Sequence, residues 1–461
     1  MTMKPAAPFH YLSNSIEENK TLDLSDLNTI ILNSQKETQD AFDVGSKLKS
    51  YLVQVRANIE RNASDEHKSK TQLDLDALLQ SSLPHDNKVP RKGNISNIYG
   101  DYIRLAVYHH FLETGKLLPQ SSLLKEFSDE EYLMGIITVN QDLARYSIGR
   151  ATKRDAESVI MARNLVDAIL SHLMQYDFRN GNLRRRYDGV KYALKSCETV
   201  LYELSVTGCD LPDDKHDEEP AAKKAKVELT SDLLPNEELR DLNKRMEHRD
   251  ELRETLIKKC RDAQKAAKNA IYSLHRDDVS KAHELISTCE KIVLEQLMPI
   301  VEEEPMLRYG SFANVLEEYA EAKMFYVWLV GNDNVEKVES AVKPSGKVLL
   351  HHEFSTVPLE PEEYLGGICD LTGEIGRYAV KRGTFRDEDQ VGFCLMTVMN
   401  VLYAMESLER LPGGVGKKMG QLRSTVEKIE KMMYELSLTK ATGRNVKADL
   451  DDTKMDQNDE E

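Results

Sequence analysis

Pro361-Glu-Glu-Tyr-Leu-Gly-Gly-Ile-Cys-Asp-Leu-Thr-Gly-Glu-Ile-Gly-Arg-Tyr378 is the stretch on which the fold class turns. Leu365, Ile368, Thr372 and Ile375 recur at intervals of three and four, the spacing of one helix face. Glu362 and Glu363 stand where a first helical turn favours negative charge, because the helix dipole is positive there. The same spacing runs through Leu252, Leu256 and Ile257 and through Ile429, Met432, Met433 and Leu436. Alternating β-branched runs bounded by turn residues are scarce, so the expected fold is all-α with long helices. Helices are predicted at about 236–273, 277–301, 308–330, 361–382, 387–407 and 416–438, with another at 24–60.

Working outward, Tyr364-Leu-Gly-Gly-Ile368 repeats Tyr132-Leu-Met-Gly-Ile136 at an offset of 232. At that offset Arg145-Tyr146 meets Arg377-Tyr378, Asp155 meets Asp387, and Tyr202-Glu-Leu-Ser205 meets Tyr434-Glu-Leu-Ser437. Upstream, Asp101-Tyr102 meets Glu318-Tyr319 at an offset of 217, so the second copy holds 15 extra residues in the loop with GNDN and KPSGK. Two tandem helical bundles follow: 1–208, a charged linker at 209–235, a second bundle at 236–440, and an acidic tail at 441–461 predicted to be disordered. Lys223, Lys224 and Lys226 in the linker fit either a nuclear localisation signal or a solvated charge run.

A chain of 461 residues and 52.5 kDa exceeds one ordinary core, and 40% hydrophobic residues suffice for two. With 30% charged residues and a mean hydropathy of -0.51, no membrane role is expected. The opening MTMKPAAPFHYLSNS lacks secretory-signal features, and the expectation is a cytoplasmic and nuclear protein. Six scattered cysteines, without a CxxC pair, argue for reduced thiols and against a zinc site. A net charge of -16 excludes whole-surface attraction to nucleic acid but leaves room for local basic patches.

Glu318 and Glu321 lie three apart on one predicted helix, and Asp370 and Glu374 four apart on another. Four converging carboxylates offer the hard oxygen donors that Mg2+ or Mn2+ takes. Acids at helical spacing are, on spacing alone, ordinarily a solvated helix face. The duplication supplies a control, since the matching residues of the first copy are Asp101, Arg104, Thr138 and Asp142. Two acids are replaced there, and arginine repels a cation while attracting phosphate. The candidate RNA-binding residues are Arg184, Arg185, Arg186 and Lys191, with Arg145 and its mate Arg377, because arginine grips phosphate and stacks on bases.

Gly413-Gly-Val-Gly-Lys417-Lys418 lacks the first Gly and the final Ser or Thr of a P-loop and reads as a helix-entry turn. His351-His352-Glu353 is not HExxH and reads as a loop. His109 and His110 read as packing residues, and Trp328 as core.

Glu318-Tyr-Ala-Glu-Ala322, Asp370-Leu-Thr-Gly-Glu374 and Met433-Tyr-Glu-Leu-Ser437 make the second copy resemble translin-associated factor X, TRAX. Phe111-Leu-Glu-Thr114, Arg184-Arg-Arg-Tyr-Asp-Gly-Val-Lys-Tyr192 and Val200-Leu-Tyr-Glu-Leu-Ser205 make the first similar to translin, as in a fusion of the two. The resemblance implies bundles of about seven helices, oligomers, and binding of single-stranded RNA and DNA. On the TRAX side it implies Mg2+-dependent endoribonuclease activity in passenger-strand removal and tRNA processing. Glu318, Glu321, Asp370 and Glu374 match the carboxylates that TRAX-like proteins use for catalysis and metal binding. The expected function is thus an endoribonuclease whose second half cuts and whose first half holds RNA, self-associating or joining free translin. The rivals are a non-catalytic single-stranded nucleic-acid-binding protein and a helical scaffold.

Overall fold

The computed structural model describes residues 22–61, 65–178, 181–209, 232–331 and 344–442. Lys223, Lys224 and Lys226, and the tail beyond 442, lie outside the described residues. The helices are α1 (Ser25–Arg61), α2 (Asp65–Ser82), α3 (Ile95–Thr114), α4 (Asp129–Ala151), α5 (Ala156–Leu173), α6 (Asn182–Tyr187) and α7 (Val190–Val206). There follow α8 (Asn236–His275), α9 (Val279–Ile292), a π turn at Val293–Leu297, α10 (Met298–Glu303), α11 (Ser311–Val330), α12 (Pro361–Thr384), α13 (Glu388–Glu406) and α14 (Val415–Thr442). Among the described residues the regular structure is helical, as the three-and-four periodicity requires. None of these helices is long and apolar enough to cross a membrane.

The chain divides into two compact units, Gln35–Arg253 and Glu254–Glu461 with Met1–Ser34. The boundaries fall inside α1 and α8. In the N-terminal unit the core is built from Ile103 and Val107 of α3, Leu133, Val139 and Leu143 of α4, Leu165 and Val166 of α5, and Cys197 of α7. Leu239 and Leu242, from the start of α8, are buried in the same core, and Tyr176 Oη donates to the Leu239 carbonyl at 3.0 Å. The first turns of the second copy thus pack in this unit.

In the C-terminal unit the buried residues include Phe312, Tyr319 and Trp328 of α11, Leu365, Ile368 and Ile375 of α12, Val391 and Leu395 of α13, and Leu422 and Ile429 of α14. Each such side chain contributes roughly 1.5–3 kcal/mol of burial. Trp328 Nε1 donates to Thr397 Oγ1 at 3.3 Å, which satisfies its one polar group.

The sequence matches acquire physical reasons. Asp155 and Asp387 are N-caps of α5 and α13, accepting from the backbone N–H of Ser158 and Gln390 at 3.1 and 3.2 Å. Gly135 and Gly367 sit at close approaches of α4 to α3 and of α12 to α11. A Cβ on Gly367 would lie 2.7 Å from Ala320 Cβ and 3.1 Å from the Glu321 nitrogen, and one on Gly135 would lie 2.4 Å from Ile103 Cγ2. This approach of α12 to α11 puts the two acid pairs face to face.

Candidate functional site

Glu321 is the innermost of the four acids, 8% exposed. Burial, then the charges of Asp370, Glu374 and Glu318, pushes its carboxyl up to about 8. No hydrogen bond or ion pair from another described residue reaches it. Glu318 stands at the rim with Lys268 Nζ 3.0 Å away. Asp370 is ion-paired with Lys418 from α14. Glu374 is hydrogen-bonded to His275 Nε2 at the end of α8, and Arg377 Nη1 stands 3.8 Å from it. The structure therefore brings Glu318, Glu321, Asp370 and Glu374 into one electrostatic neighbourhood.

A fifth acid, Glu317, accepts from Lys418 Nζ at 2.5 Å. Its carboxyl is raised, first by burial and further by Asp370, although Lys418 opposes the shift. Lys418 is held charged by Asp370 and Glu317 against the cost of its burial. Sequence reasoning missed Glu317, Lys418, Lys268 and His275. A signal existed for Lys418: it matches Arg186 at the offset of 232.

Carboxylate oxygens are the donors that Mg2+ and Mn2+ prefer, and Glu321 is a buried acid facing three others without a cation bonded to it. The donor chemistry of Glu318, Glu321, Asp370 and Glu374, all carboxylates, is the kind a hard divalent ion takes. As they stand, no three His, Cys, Asp or Glu side chains among the described residues are disposed to hold a metal ion. Lys418 and His275 take up oxygens of Asp370 and Glu374.

The equivalent crossing of α3 and α4 in the N-terminal unit has the opposite electrostatics. Arg104, in the place of Glu321, grips Asp142 through two bonds of 2.5 and 2.8 Å. Arg56 Nη2 reaches the same carboxylate at 2.5 Å. Thr138, in the place of Asp370, turns back to donate to the Met134 carbonyl at 2.7 Å. Asp101 is raised by burial, with Arg104, Arg186 and Lys49 pulling the other way. Lys49 and Arg56 match Lys268 and His275 at a shared offset of 219. Four fixed cations, one of them shared with Glu60, thus face two acids here, where in the C-terminal unit Lys268, Lys418, Arg377 and His275 face five acids.

The remaining basic residues are spread over the surface. Arg184 is half-exposed, with its guanidinium 5.6 Å from the Tyr187 ring centre and 3.8 Å from Asp188. Arg185 and Lys191 are exposed, Lys191 lying over the 65% exposed Tyr192 ring. Arg186 is half-buried and donates to Asn97 Oδ1 at 3.0 Å. Arg145 is exposed, 3.8 Å from Glu60, and Arg377 is exposed beside the acids. The packing role expected of His109 does not hold, since it is exposed next to Glu113, whereas His110 is half-buried; both line a cavity of about 480 Å³ with Val55, Leu75 and Tyr102.

The translin family model matches residues 30–208 and 251–440. The chain is 34% identical to the translin of Gallus gallus over 79 residues, 17% of this chain and 34% of that protein. It is 24% identical over 213 residues to the translin-associated protein X homolog of Schizosaccharomyces pombe, 43% of this chain and 87% of that protein. It spans about a third of the length of the translins that it matches. Among solved structures, apo-NeC3PO superposes with a TM-score of 0.37 at 17% identity, covering 44% of this chain and 98% of that one. The AfC3PO–duplex RNA complex gives 0.36 at 18% identity, covering 44% of this chain and 97% of that one.

Proposed function

The chain belongs to the translin family, and from that kinship we propose that its C-terminal unit is a Mg2+- or Mn2+-dependent endoribonuclease acting on single-stranded RNA, while the N-terminal unit holds the strand. The observation that carries this reading is Glu321: a buried carboxyl with no cation bonded to it, pushed up to about 8 first by burial and then by Asp370, Glu374 and Glu318. A bound divalent ion would supply the polarisation of the scissile phosphate and an activated water at neutral pH. The chain's own residues do the rest. Glu318 and Glu321 on α11 and Asp370 and Glu374 on α12 bind and orient. Lys268 and Arg377, both 61% exposed on their side chains at the rim, draw in the phosphate backbone. In the N-terminal unit, Arg104 and Arg56 fill the equivalent space with guanidinium groups, which favours phosphate over a cation.

Passenger strands of small RNA duplexes and tRNA fragments are the substrate classes implied by the TRAX resemblance. Equivalent residues of both copies also expose apolar side chains: Ile148, Tyr202 and Val206 in one, Val380, Tyr434 and Leu438 in the other. Matching patches of this kind suit association with further translin-type subunits, either copies of this chain or free translin.

The test is cleavage of labelled single-stranded and duplex RNA with and without chelator, using the protein with all four acids replaced by alanine as blank. Chelator-sensitive cutting that vanishes in the blank supports the reading. Binding without cutting in Mg2+ and in Mn2+ returns the protein to the class of single-stranded RNA- and DNA-binding proteins, and absence of both leaves a scaffold.

A further inference from the structure

Lys418 enters the acid cluster from α14 and makes three contacts there: with Glu317 Oε1 at 2.5 Å, with Asp370 Oδ2, and with the Gly366 carbonyl at 3.5 Å. The arrangement is built into the chain. A Cβ on residue 366 would lie 2.2 Å from Glu317 Oε2 and 2.6 Å from its carboxyl carbon, so glycine there lets the Glu317 side chain fold over α12. In the N-terminal unit the same space is filled from the other side. Gly100 stands in the place of Glu317 and Met134 in the place of Gly366, and a Cβ on Gly100 would lie 2.6 Å from Met134 Sδ. Helix packing alone is satisfied by a thioether, so Glu317 and its bound ammonium serve something other than the crossing.

Resting on the nuclease reading above, we propose that Lys418 is a substrate-binding cation of the site, parked between Glu317 and Asp370 until RNA and metal arrive. One Asp370 oxygen cannot serve an ammonium and a divalent ion at full strength, and the two cations repel each other. Were Asp370 to hold a divalent ion, Lys418 would be free to turn about its flexible stem to a non-bridging oxygen of the scissile phosphate, while Glu317 keeps it within the cluster. Lysine suits this exchange, since its three rotatable donors carry a compact charge without a fixed fork geometry. In the phosphate-bound position the ammonium opposes the charge that grows as the phosphodiester is attacked.

The experiment pairs Mn2+ binding, read by electron paramagnetic resonance without RNA, with steady-state cleavage of single-stranded RNA for Lys418→Met, Lys418→Arg and Glu317→Gln. Lys418→Met is expected to bind Mn2+ several-fold more tightly, because a competing cation is gone, and yet to lose about 100-fold in kcat. Lys418→Arg should recover part of that kcat, which a loss of packing alone would not allow. Glu317→Gln, which keeps the size of the side chain, should bind Mn2+ more weakly and cut more slowly. Unchanged kcat in Lys418→Met overturns the proposal, and so does weaker or unchanged Mn2+ binding by a variant whose melting temperature is that of the parent. If the unmodified protein binds Mn2+ but cuts no RNA, the nuclease reading has failed, and the Mn2+ arm still decides whether Lys418 stands in the metal's place.

Discussion

At the crossing of α3 and α4, Lys49, Arg56, Arg104 and Arg186 surround Asp101 and Asp142. At the equivalent crossing of α11 and α12, Glu317, Glu318, Glu321, Asp370 and Glu374 surround Lys268, Lys418, Arg377 and His275. The frame is shared, down to Gly135 and Gly367 at the two close approaches. The charges are not, and they sort as two ways of solving one electrostatic problem. In the N-terminal unit the inner acid, Asp142, is 5% exposed on its side chain and is neutralised by two arginines of the same chain. In the C-terminal unit the inner acid, Glu321, has no such arginine; Lys418 acts on it only at a distance, and burial with three neighbouring acids pushes its carboxyl up to about 8. Buried charge is tolerated only when paired, so Glu321 keeps its proton well above the usual carboxylate range, and the proposed divalent ion would take that proton's place.

The largest effect should follow from removing that demand. Glu321→Ala or Asp370→Ala is expected to reduce cleavage of single-stranded RNA by about 10³-fold, equivalent to roughly 4 kcal/mol of transition-state stabilisation. Arg104→Ala or Thr138→Ala, at the matched positions of the other unit, should leave kcat within a factor of three. Equal losses in both sets would erase the distinction between the units.

The second effect is on stability in chelator. Glu321 is raised from an ordinary 4.5 to about 8, so between these values the folded state holds a proton that the unfolded chain has lost. Stability should therefore fall as pH rises from about 4.5 to about 8 and level off above that, by roughly 5 kcal/mol at most from this group. Denaturant unfolding of the parent and of Glu321→Gln across this range measures it: the difference between the two should carry the slope, and added Mn2+ should restore the parent at pH 8. A pH-independent difference would mean that Glu321 is already neutralised.

Next in size, Arg104→Met leaves Asp142 with Arg56 alone and should cost about 2 kcal/mol, less than stranding a buried charge outright. Urea unfolding reports it. The smallest change concerns RNA: replacing Arg184, Arg185 and Lys191 together by alanine should weaken binding similarly for all sequences and reduce the salt slope of log Kd by about 2. Unaltered slope would place the strand elsewhere on the N-terminal unit.

Much of this comparison can be read before any coordinates. The offsets of 217 and 232 pair Glu318 with Asp101, Glu321 with Arg104, Asp370 with Thr138 and Glu374 with Asp142, and the close crossings bear out the pairing of helices. Periodicity sufficed for the helices because each buries a face at three-and-four spacing. It could not show what lies opposite that face, since Lys418 and His275 reach the acids from α14 and α8. Lys418 was obscured by its neighbourhood, where Gly413-Gly-Val-Gly directs attention to an absent phosphate loop. The match of Lys418 to Arg186 at the known offset was the available clue. His109 is exposed against expectation because an apolar context in sequence says nothing about which side of α3 reaches solvent.

Anomalous diffraction from crystals grown with Mn2+ bears most directly on the difference between the units. The account predicts a peak enclosed by Glu318, Glu321, Asp370 and Glu374, with Lys418 drawn away from Asp370, and no peak beside Arg104 and Asp142. Density at both crossings alike, or none among the four acids at saturating Mn2+, would contradict it.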